Sequence, residues 1–193
     1  MPRKKKFRDP EEAAWDARLK AESEDEDFGL FVSAYARATG DALTAIERPE
    51  PPDFLCLRSN GREVGVELTQ IMRSPDSVLW DSILYRRTEM DTWSAATEFD
   101  RLLSKKVGKL ENFPTKENIL LIQSCDADFG MLTDHLLKIP ITELKETGFQ
   151  EIWLGDYQGY REGAHYGIEL HGLFPAKMRH YLPRADWDQK PYG

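Results

Sequence analysis

The chain has 193 residues, of which 40% are hydrophobic and 11% aromatic, which predicts one globular domain with a sizeable core. No run approaches the roughly 20 apolar residues of a membrane-spanning helix, and no signal-peptide segment follows the basic start, so we expect a cytoplasmic protein without a membrane partner. The net charge of −8 argues weakly against a surface covered by phosphate contacts but leaves room for a local basic groove. The cysteines, Cys56 and Cys125, lack zinc-site spacing and are interpreted as core residues in a reducing compartment.

The first part of the chain is predicted to be helical. Residues 1–26 are interpreted as an extension with a basic start, in which the acidic run at 22–27 interrupts a short helix. Asp27 is expected to cap a second helix that continues to about Ile46, because apolar residues recur there at helical spacing, and Gly40-Asp41 is the candidate position for a break within it. The proline-rich stretch at 48–52 then predicts a rigid, extended entry into the next element.

Two strand-like runs, Phe54–Leu57 and Val64–Thr69, flank Ser59-Asn60-Gly61, and Asn-Gly between such runs is a strong signal for a β-hairpin. Asp53 and Glu67 accompany the two runs in apolar surroundings, where a charge needs a partner. A two-residue turn would direct the two acids to opposite faces, whereas a three-residue turn would place them opposite each other on one face. Both turns are common, and a shared site requires the three-residue turn or a compensating bulge.

Two carboxylates that converge from adjacent strands form a hard-oxygen site that suits magnesium or manganese. Such an ion can polarise a phosphoryl oxygen and supply hydroxide at neutral pH, so phosphoryl chemistry is the hypothesis for this site. Thr69 follows Glu67 by two residues and is expected to share its face.

Pro52-Asp53, followed by Glu67-Leu68-Thr69 at the end of the next strand, resembles the motif of the PD-(D/E)XK nuclease superfamily. The resemblance implies a restriction-endonuclease-like fold and a nuclease that hydrolyses nucleic acid, DNA more than RNA. It also implies that Asp53 and Glu67 bind the magnesium or manganese ion. Thr69 stands where the family usually has a lysine, so it would orient water or phosphate without carrying positive charge. Members often recruit an extra acid from the first helix; Glu47 is a weak candidate, and an exposed charge at a helix end is the interpretation we favour.

A long helix is predicted after the hairpin, from about Ser74 to about Leu110. Arg86 falls in a gap of its apolar stripe. In the interpretation that we favour, its alkyl part packs against the protein while its guanidinium reaches water. In the alternative, its guanidinium partly replaces the absent lysine, and Arg87 is an equivalent candidate for that role. A basic patch near the end of this helix fits either phosphate contacts or the helix dipole, and it comprises Lys105, Lys106 and Lys109.

The second half of the chain alternates strands and short helices. Asn118–Ser124 is a continuous apolar run, typical of a central strand buried on both faces. Asp126 and Asp128 follow it and are interpreted as turn residues, with metal ligation as the alternative. The histidines lack a metal-binding spacing, and His171 is expected to be a packed or surface residue. Two short helices and two further strands are predicted at 131–139, 141–147, 149–154 and 167–174.

These elements predict an α/β fold with a mixed central sheet of about five strands flanked by helices. Their order resembles the restriction-endonuclease-like αβββαβ core, with additions at both ends. The domain is predicted to span residues 27–175, and residues 176–193 are interpreted as a C-terminal tail.

The main functional hypothesis is a magnesium-dependent nuclease, with manganese as the alternative ion. A second hypothesis is a catalytically inert module on the same fold that binds nucleic acid or a protein partner. A third is that the acids only pair with nearby arginines such as Arg58 and Arg62, as charges on exposed hairpins often do. The candidate catalytic residues of the main hypothesis are Asp53, Glu67, Thr69 and Arg86.

Overall fold

A computed structural model describes residues 10–73, 89–158, 167–175 and 177–180. Within these ranges the chain forms one open mixed sheet of seven strands, with helices on both faces, so the predicted α/β class is confirmed. The helices are α1 (Pro10–Thr39), α2 (Thr92–Val107), α3 (Phe129–Leu136) and α4 (Ile141–Glu146), and a 3-10 turn covers Leu110–Asn112. The strands are β1 (Leu43–Glu47), β2 (Phe54–Arg58), β3 (Glu63–Ile71), β4 (Asn118–Ser124), β5 (Glu151–Asp156), β6 (Glu169–Phe174) and β7 (Met178–His180).

The strands lie side by side in the order in which they occur in the chain. The strands β3, β4 and β5 run parallel, and every other neighbouring pair is antiparallel. Because parallel neighbours cannot be joined by a hairpin, the connection from β3 to β4 crosses one face of the sheet, and this connection contains α2. The connection therefore brings residues of α2 over β3.

The core has two parts, one on each face of the sheet. The second half of α1 packs on one face with Phe31 and Tyr35, whereas α2, α3 and α4 cover the other. Strand β4 is buried along its whole length, as its continuous apolar run predicted. On β3, Val66 and Leu68 belong to the α1 side, and Ile71 belongs to the α2 side. Glu67 alternates with its neighbours and therefore points towards α2.

The β2–β3 hairpin has the register that a shared acidic site requires. Phe54 pairs with Val66 and Leu57 pairs with Glu63, so the two numbers of each pair sum to 120. Gly61 has a φ of +78°, a left-handed conformation that glycine adopts without strain and that fits a three-residue turn. Extending this register by one pair places residue 53 opposite residue 67.

The N-terminal half of the predicted secondary structure is wrong in two places. Helix α1 continues through the acidic run, where Lys20 pairs with Glu24 at 3.1 Å, and such i,i+4 pairs reduce repulsion between the acids. The helix ends at Thr39, before Gly40 with its φ of +75°, and does not continue to Ile46. Residues 43–47 instead form β1, because β2 offers them an antiparallel partner.

The predicted helix from Ser74 to Leu110 is not continuous. Residues 74–88, which include Arg86 and Arg87, lie outside the described residues. Met90 forms a β-bridge with Ala127, and Asp91 caps α2 by accepting a hydrogen bond from the backbone N–H of Ser94 at 3.0 Å. Trp93, near the start of α2, has an exposed fraction of 76%.

The C-terminal half follows the prediction more closely. Strands β5 and β6 begin within two residues of their predicted starts, and Met178–His180 in the predicted tail forms the additional strand β7. Cys56 is buried, Cys125 is partly exposed, and neither forms a disulfide. None of the helices in the described ranges is long and apolar enough to cross a membrane.

Candidate functional site

A cavity of about 380 Å³ opens between the hairpin, the first half of α1 and the end of α2. Its walls come from parts of the chain that are distant in sequence, and both predicted metal ligands lie in it. The lining residues are Lys20 and Glu24 from α1, Glu50 and Pro51 from the loop before β2, Asp53, Glu67 and Leu68 from the hairpin, and Lys106 and Lys109 from the end of α2.

Asp53 is held against β3 by the backbone. Its Oδ2 accepts a hydrogen bond from the N–H of Leu68 at 2.6 Å. The preceding Pro52 is buried against Gly65, where a Cβ would come within 2.9 Å of the proline Cγ. Glycine at this position therefore allows the loop before β2 to approach β3 and bring Asp53 to the cavity.

The surroundings of Asp53 raise the pKa of its carboxyl group. Burial is the largest influence that raises the pKa of Asp53 above the ordinary value of 3.8, and the charge of Glu67 raises it further. The hydrogen bond from Leu68 and the charge of Lys106 act in the opposite direction without cancelling the rise. Repulsion between like charges of this kind is relieved when a cation binds between them.

Glu67 is the most deeply placed acid of the cavity, with an exposed fraction of 2%. Its Oε1 accepts a hydrogen bond from Nζ of Lys106 at 2.5 Å, and the same ammonium donates to the backbone oxygen of Leu68 at 2.8 Å. The other carboxylate oxygen of Glu67 is buried and has no hydrogen-bond partner among the described atoms. Since a buried polar atom without a hydrogen-bond partner is unfavourable, this oxygen is a natural position for a cation.

Sequence reasoning missed the part that Lys106 takes in this site. The sequence assigned Lys106 to a basic patch that contacts phosphates or complements the helix dipole, and it did not suggest a buried partner of Glu67; the exposed fraction of Lys106 is only 9%. A signal was present, because Lys106 follows the buried Leu102 by four residues and the buried Phe99 by seven, and so continues the inward stripe of α2. Thr69 is buried on the same face of β3 as Glu67, but it is not one of the residues that line the cavity.

Glu24 is a second residue that the sequence did not suggest. It reaches the cavity only because α1 continues through the acidic run, and it forms ion pairs with Lys20 at 3.1 Å and with Arg48 at 2.8 Å. Glu47, the weak candidate for an extra acid, is exposed on β1, is not on a helix and does not line the cavity.

The other candidate acids after β4 have structural roles. Asp126 forms an ion pair with Arg73 at 2.5 Å, and Asp128 caps α3 by accepting a hydrogen bond from the N–H of Met131 at 2.7 Å. These contacts agree with the interpretation of both acids as turn residues. His171 was expected to be either packed or on the surface, and it is buried in β6. Its Nε2 lies 2.7 Å from Oε1 of Glu169.

Arg58 and Arg62, the two arginines of the hairpin, form their ion pairs with acids outside the cavity. Arg58 pairs with Asp41 at 2.8 Å and with Glu151 at 2.5 Å, and Arg62 pairs with Glu117. Among the described ion pairs, therefore, Arg58 and Arg62 pair with acids other than Asp53 and Glu67. The ion pair of Glu67 is instead formed with Lys106, a residue 39 positions away in the chain.

The donor set of the cavity fits a magnesium-type ion better than a softer metal. In the part of the chain that the structure describes, no three His, Cys, Asp or Glu residues come together as a metal-binding group. Magnesium is commonly bound through one or two carboxylates together with water and substrate phosphates, so a pair of acids is a sufficient protein contribution. No family model, no curated protein and no solved structure matches the chain.

Replacing Asp53 by asparagine is expected to remove a pH-dependent loss of stability. Because the folded protein holds the Asp53 proton more tightly than the unfolded chain, this group favours folding below pH 3.8, and its contribution is lost as the pH rises through the raised pKa. The asparagine side chain cannot ionise, so the variant gains stability relative to the parent protein over that interval and keeps the gain at higher pH. Urea unfolding at a series of pH values measures the difference.

The exposed Asp100 on α2 supplies a charge-matched control in the variant Asp100→Asn. We expect the free energy of unfolding of Asp53→Asn, relative to that of the parent protein, to rise with pH. A relative value that stayed constant with pH, or that rose as the pH fell, would contradict the account of Asp53.

Proposed function

We propose that this protein is a divalent-metal-dependent nuclease that hydrolyses phosphodiester bonds in nucleic acid. The observation that supports the proposal most strongly is that Asp53, Glu67 and Lys106 line one cavity, with one buried oxygen of Glu67 left without a partner. Two acids and a lysine are the residue types that the PD-(D/E)XK resemblance calls for. In this chain the lysine comes from α2, while Thr69 occupies its usual place on β3.

The order of elements supports the same proposal. From α1 to β4 the chain runs helix, three strands, helix and strand, with the first three strands antiparallel and the fourth parallel to the third. This is the order expected of a restriction-endonuclease-like αβββαβ core, and we infer that the protein has this core. Strands β5, β6 and β7 extend the sheet on the far side of β4.

Each residue of the cavity has a defined task in the proposed reaction. Asp53 and the unpartnered oxygen of Glu67 would hold the magnesium or manganese ion. When bound, this ion polarises the phosphoryl oxygen and lowers the pKa of water. Lys106 orients Glu67 and carries positive charge towards the place where negative charge develops on the phosphate. Its ammonium has three N–H groups and uses two on Glu67 and Leu68, so one remains for a phosphate oxygen.

Two further residues of the sequence-based hypothesis keep their predicted roles in the proposal. Thr69 would assist by orienting water or phosphate from its position two residues beyond Glu67, and Arg86 would offset negative charge on the substrate. DNA is proposed as the substrate ahead of RNA. A cytoplasmic location is part of the proposal and agrees with two cysteines that do not form a disulfide.

The proposal is tested by metal binding and cleavage measured on the same preparation. Isothermal calorimetry with MgCl₂ or MnCl₂ is expected to show saturable binding at millimolar metal or below. Labelled DNA and RNA oligonucleotides are expected to be cleaved in the presence of the metal and not with excess EDTA. The absence of both metal binding and cleavage, with magnesium and with manganese, would overturn the proposal.

A second function is favoured by one specific observation. The ammonium of Lys106 already neutralises Glu67, and a protein that had lost its metal would need such a partner to keep the acid buried. A catalytically inert module that binds nucleic acid or a protein partner would therefore keep the same ion pair. Calorimetry separates the two functions, because the inert module is expected to show no saturable heat with millimolar magnesium or manganese.

A further inference from the structure

We propose that the cavity accepts an unpaired strand, either single-stranded nucleic acid or a single-stranded end or flap, and excludes the side of an intact duplex. This inference rests on the proposed function and names the substrate class of the same site. It follows from three features of the cavity: the depth of the reactive groups, the wall formed by α1, and the small number of cations at the rim.

The first feature is the depth of the reactive groups. Glu67 and Lys106 have exposed fractions of 2% and 9%, so the atoms that would act on the phosphate lie at the bottom of the cavity. A phosphate oxygen must come within about 2.0–2.6 Å of an ion held there. The cavity volume of about 380 Å³ lies in the lower part of the range of pockets that enclose one small molecule, roughly 300–1,000 Å³. One nucleotide of a flexible strand can enter such a space, whereas a duplex holds its phosphates on a broad rigid surface.

The second feature is a wall beside the cavity. The core contacts of α1 begin at Phe28, and the half of the helix before it, from Pro10, carries the exposed side chains Trp15 and Leu19. At 1.5 Å per residue, the 17 residues from 10 to 26 make a segment about 25 Å long. Lys20 lies on this segment and lines the cavity, so the segment stands along one side of the site and restricts the approach of a rigid duplex.

Arg48 fixes the position of this wall. Its guanidinium pairs with Glu24 at 2.8 Å and with Asp25 at 3.0 Å, both on α1. The same guanidinium lies 4.6 Å from the ring centroid of Phe54, the first residue of β2. The helix is thereby tied to the strand that follows Asp53, and the wall keeps its place relative to the site.

The third feature is the small number of cations at the rim. Lys20 on α1 and Lys109 after α2 are exposed and line the cavity, and so do the acids Glu24 and Glu50. Two such lysines provide about two phosphate contacts, whereas duplex-binding proteins often make roughly 6–10. The net charge of −8 agrees with a short strand contact and not with an extended duplex contact.

Binding measured without catalysis tests the inference directly. Fluorescence anisotropy in EDTA would compare a labelled single strand with a duplex of the same sequence whose ends are closed by hairpin loops. We expect the single strand to bind at least about tenfold more tightly, with a salt slope of about 1.4, since each single-strand contact contributes about 0.7. Equal or tighter binding of the end-closed duplex would overturn the inference.

Charge-matched variants show whether this cavity is responsible for the binding. Lys20→Ala and Lys109→Ala are each expected to weaken single-strand binding and to lower the salt slope by about 0.7. Lys145→Ala removes an exposed lysine from α4, which does not line the cavity, and is expected to change neither quantity. Rim variants that bind like Lys145→Ala would overturn the inference.

Cleavage assays distinguish the substrate class from the proposed reaction. With magnesium or manganese, a single-stranded circle and a flap are expected to be cut at least about a hundredfold faster than a closed duplex circle. Equal rates on both circles would overturn the inference and leave the nuclease proposal standing. Cleavage of no substrate would instead overturn the nuclease proposal, and the anisotropy data would still decide which form of nucleic acid the cavity accepts.

Discussion

The substitution Lys106→Met is expected to lower the free energy of unfolding of the metal-free protein by about 3–5 kcal/mol. Glu67 has an exposed fraction of 2%, and the ammonium of Lys106, 2.5 Å away, is its partner. Methionine fills similar space but leaves the carboxylate buried without a neutralising charge. Breaking a buried ion pair from one side is among the more destabilising single changes that a protein experiences.

The neighbouring lysine on the same helix provides the control for this substitution. Lys105 is exposed, so Lys105→Met is expected to change the free energy of unfolding by no more than about 0.5 kcal/mol. Urea unfolding followed by circular dichroism measures both variants. If Lys106→Met unfolds at the same urea concentration as Lys105→Met, the buried ion pair does not stabilise the fold as described.

Two further measurements show that the effect passes through Glu67. In the double variant Glu67→Gln with Lys106→Met, neither position of the former ion pair carries a charge, so the loss of stability is expected to be smaller than with Lys106→Met alone. Magnesium or manganese should restore part of the stability of Lys106→Met, because an ion bound to Glu67 supplies the missing positive charge. A double variant that was less stable than the single one would contradict this reasoning.

Joint replacement of Asp53 and Glu67 by alanine is expected to lower metal-dependent cleavage by at least about a thousandfold, or about 4 kcal/mol of transition-state stabilisation. These two side chains supply the carboxylate oxygens that would hold the ion, and the described residues contain no group of three metal-binding side chains that could replace them. Rates on a labelled single strand with manganese measure the effect.

The controls for this variant separate a lost site from a lost fold. Glu143→Ala with Glu146→Ala removes the same number of charges from exposed positions on α4 and should leave the rate unchanged. Asp53→Asn keeps an oxygen that can accept the hydrogen bond from Leu68 and leaves the Glu67–Lys106 pair intact, so it should fold and still lose most cleavage. Cleavage that persisted in a folded Asp53→Asn or in the double alanine variant would exclude the proposed site.

The hairpin and its two acids could be predicted because their signals are local, whereas the choice between the two registers needed the structure. The hairpin register depends on a turn of three residues with glycine in a left-handed conformation, and that conformation is a property of Gly61 itself. The alternation of side chains along β3 then decides that Glu67 and Asp53 share a face. The burial of β4 on both sides followed from its unbroken apolar run.

The failures occurred where a distant partner overrides a local preference. Residues 43–47 have no strong strand pattern of their own, yet they form β1 because β2 supplies the hydrogen-bonding edge. Met90 and Asp91 interrupt an apparently helical stripe because Met90 pairs with Ala127, a residue that follows β4. In both cases the deciding contact lies outside the window in which periodicity is read.

The sequence by itself therefore determined the α/β class and the hairpin, and it singled out Asp53 and Glu67 while leaving two registers open for them. The structure has the register that places the two acids opposite each other. Only the tertiary structure decided that the lysine of the site is Lys106, and that α1 stands beside the cavity with Glu24. The physical reason is that a hairpin is specified by residues adjacent in the chain, whereas the Glu67–Lys106 pair joins residues 39 positions apart. Such a pair forms only when the crossover connection has laid α2 across β3.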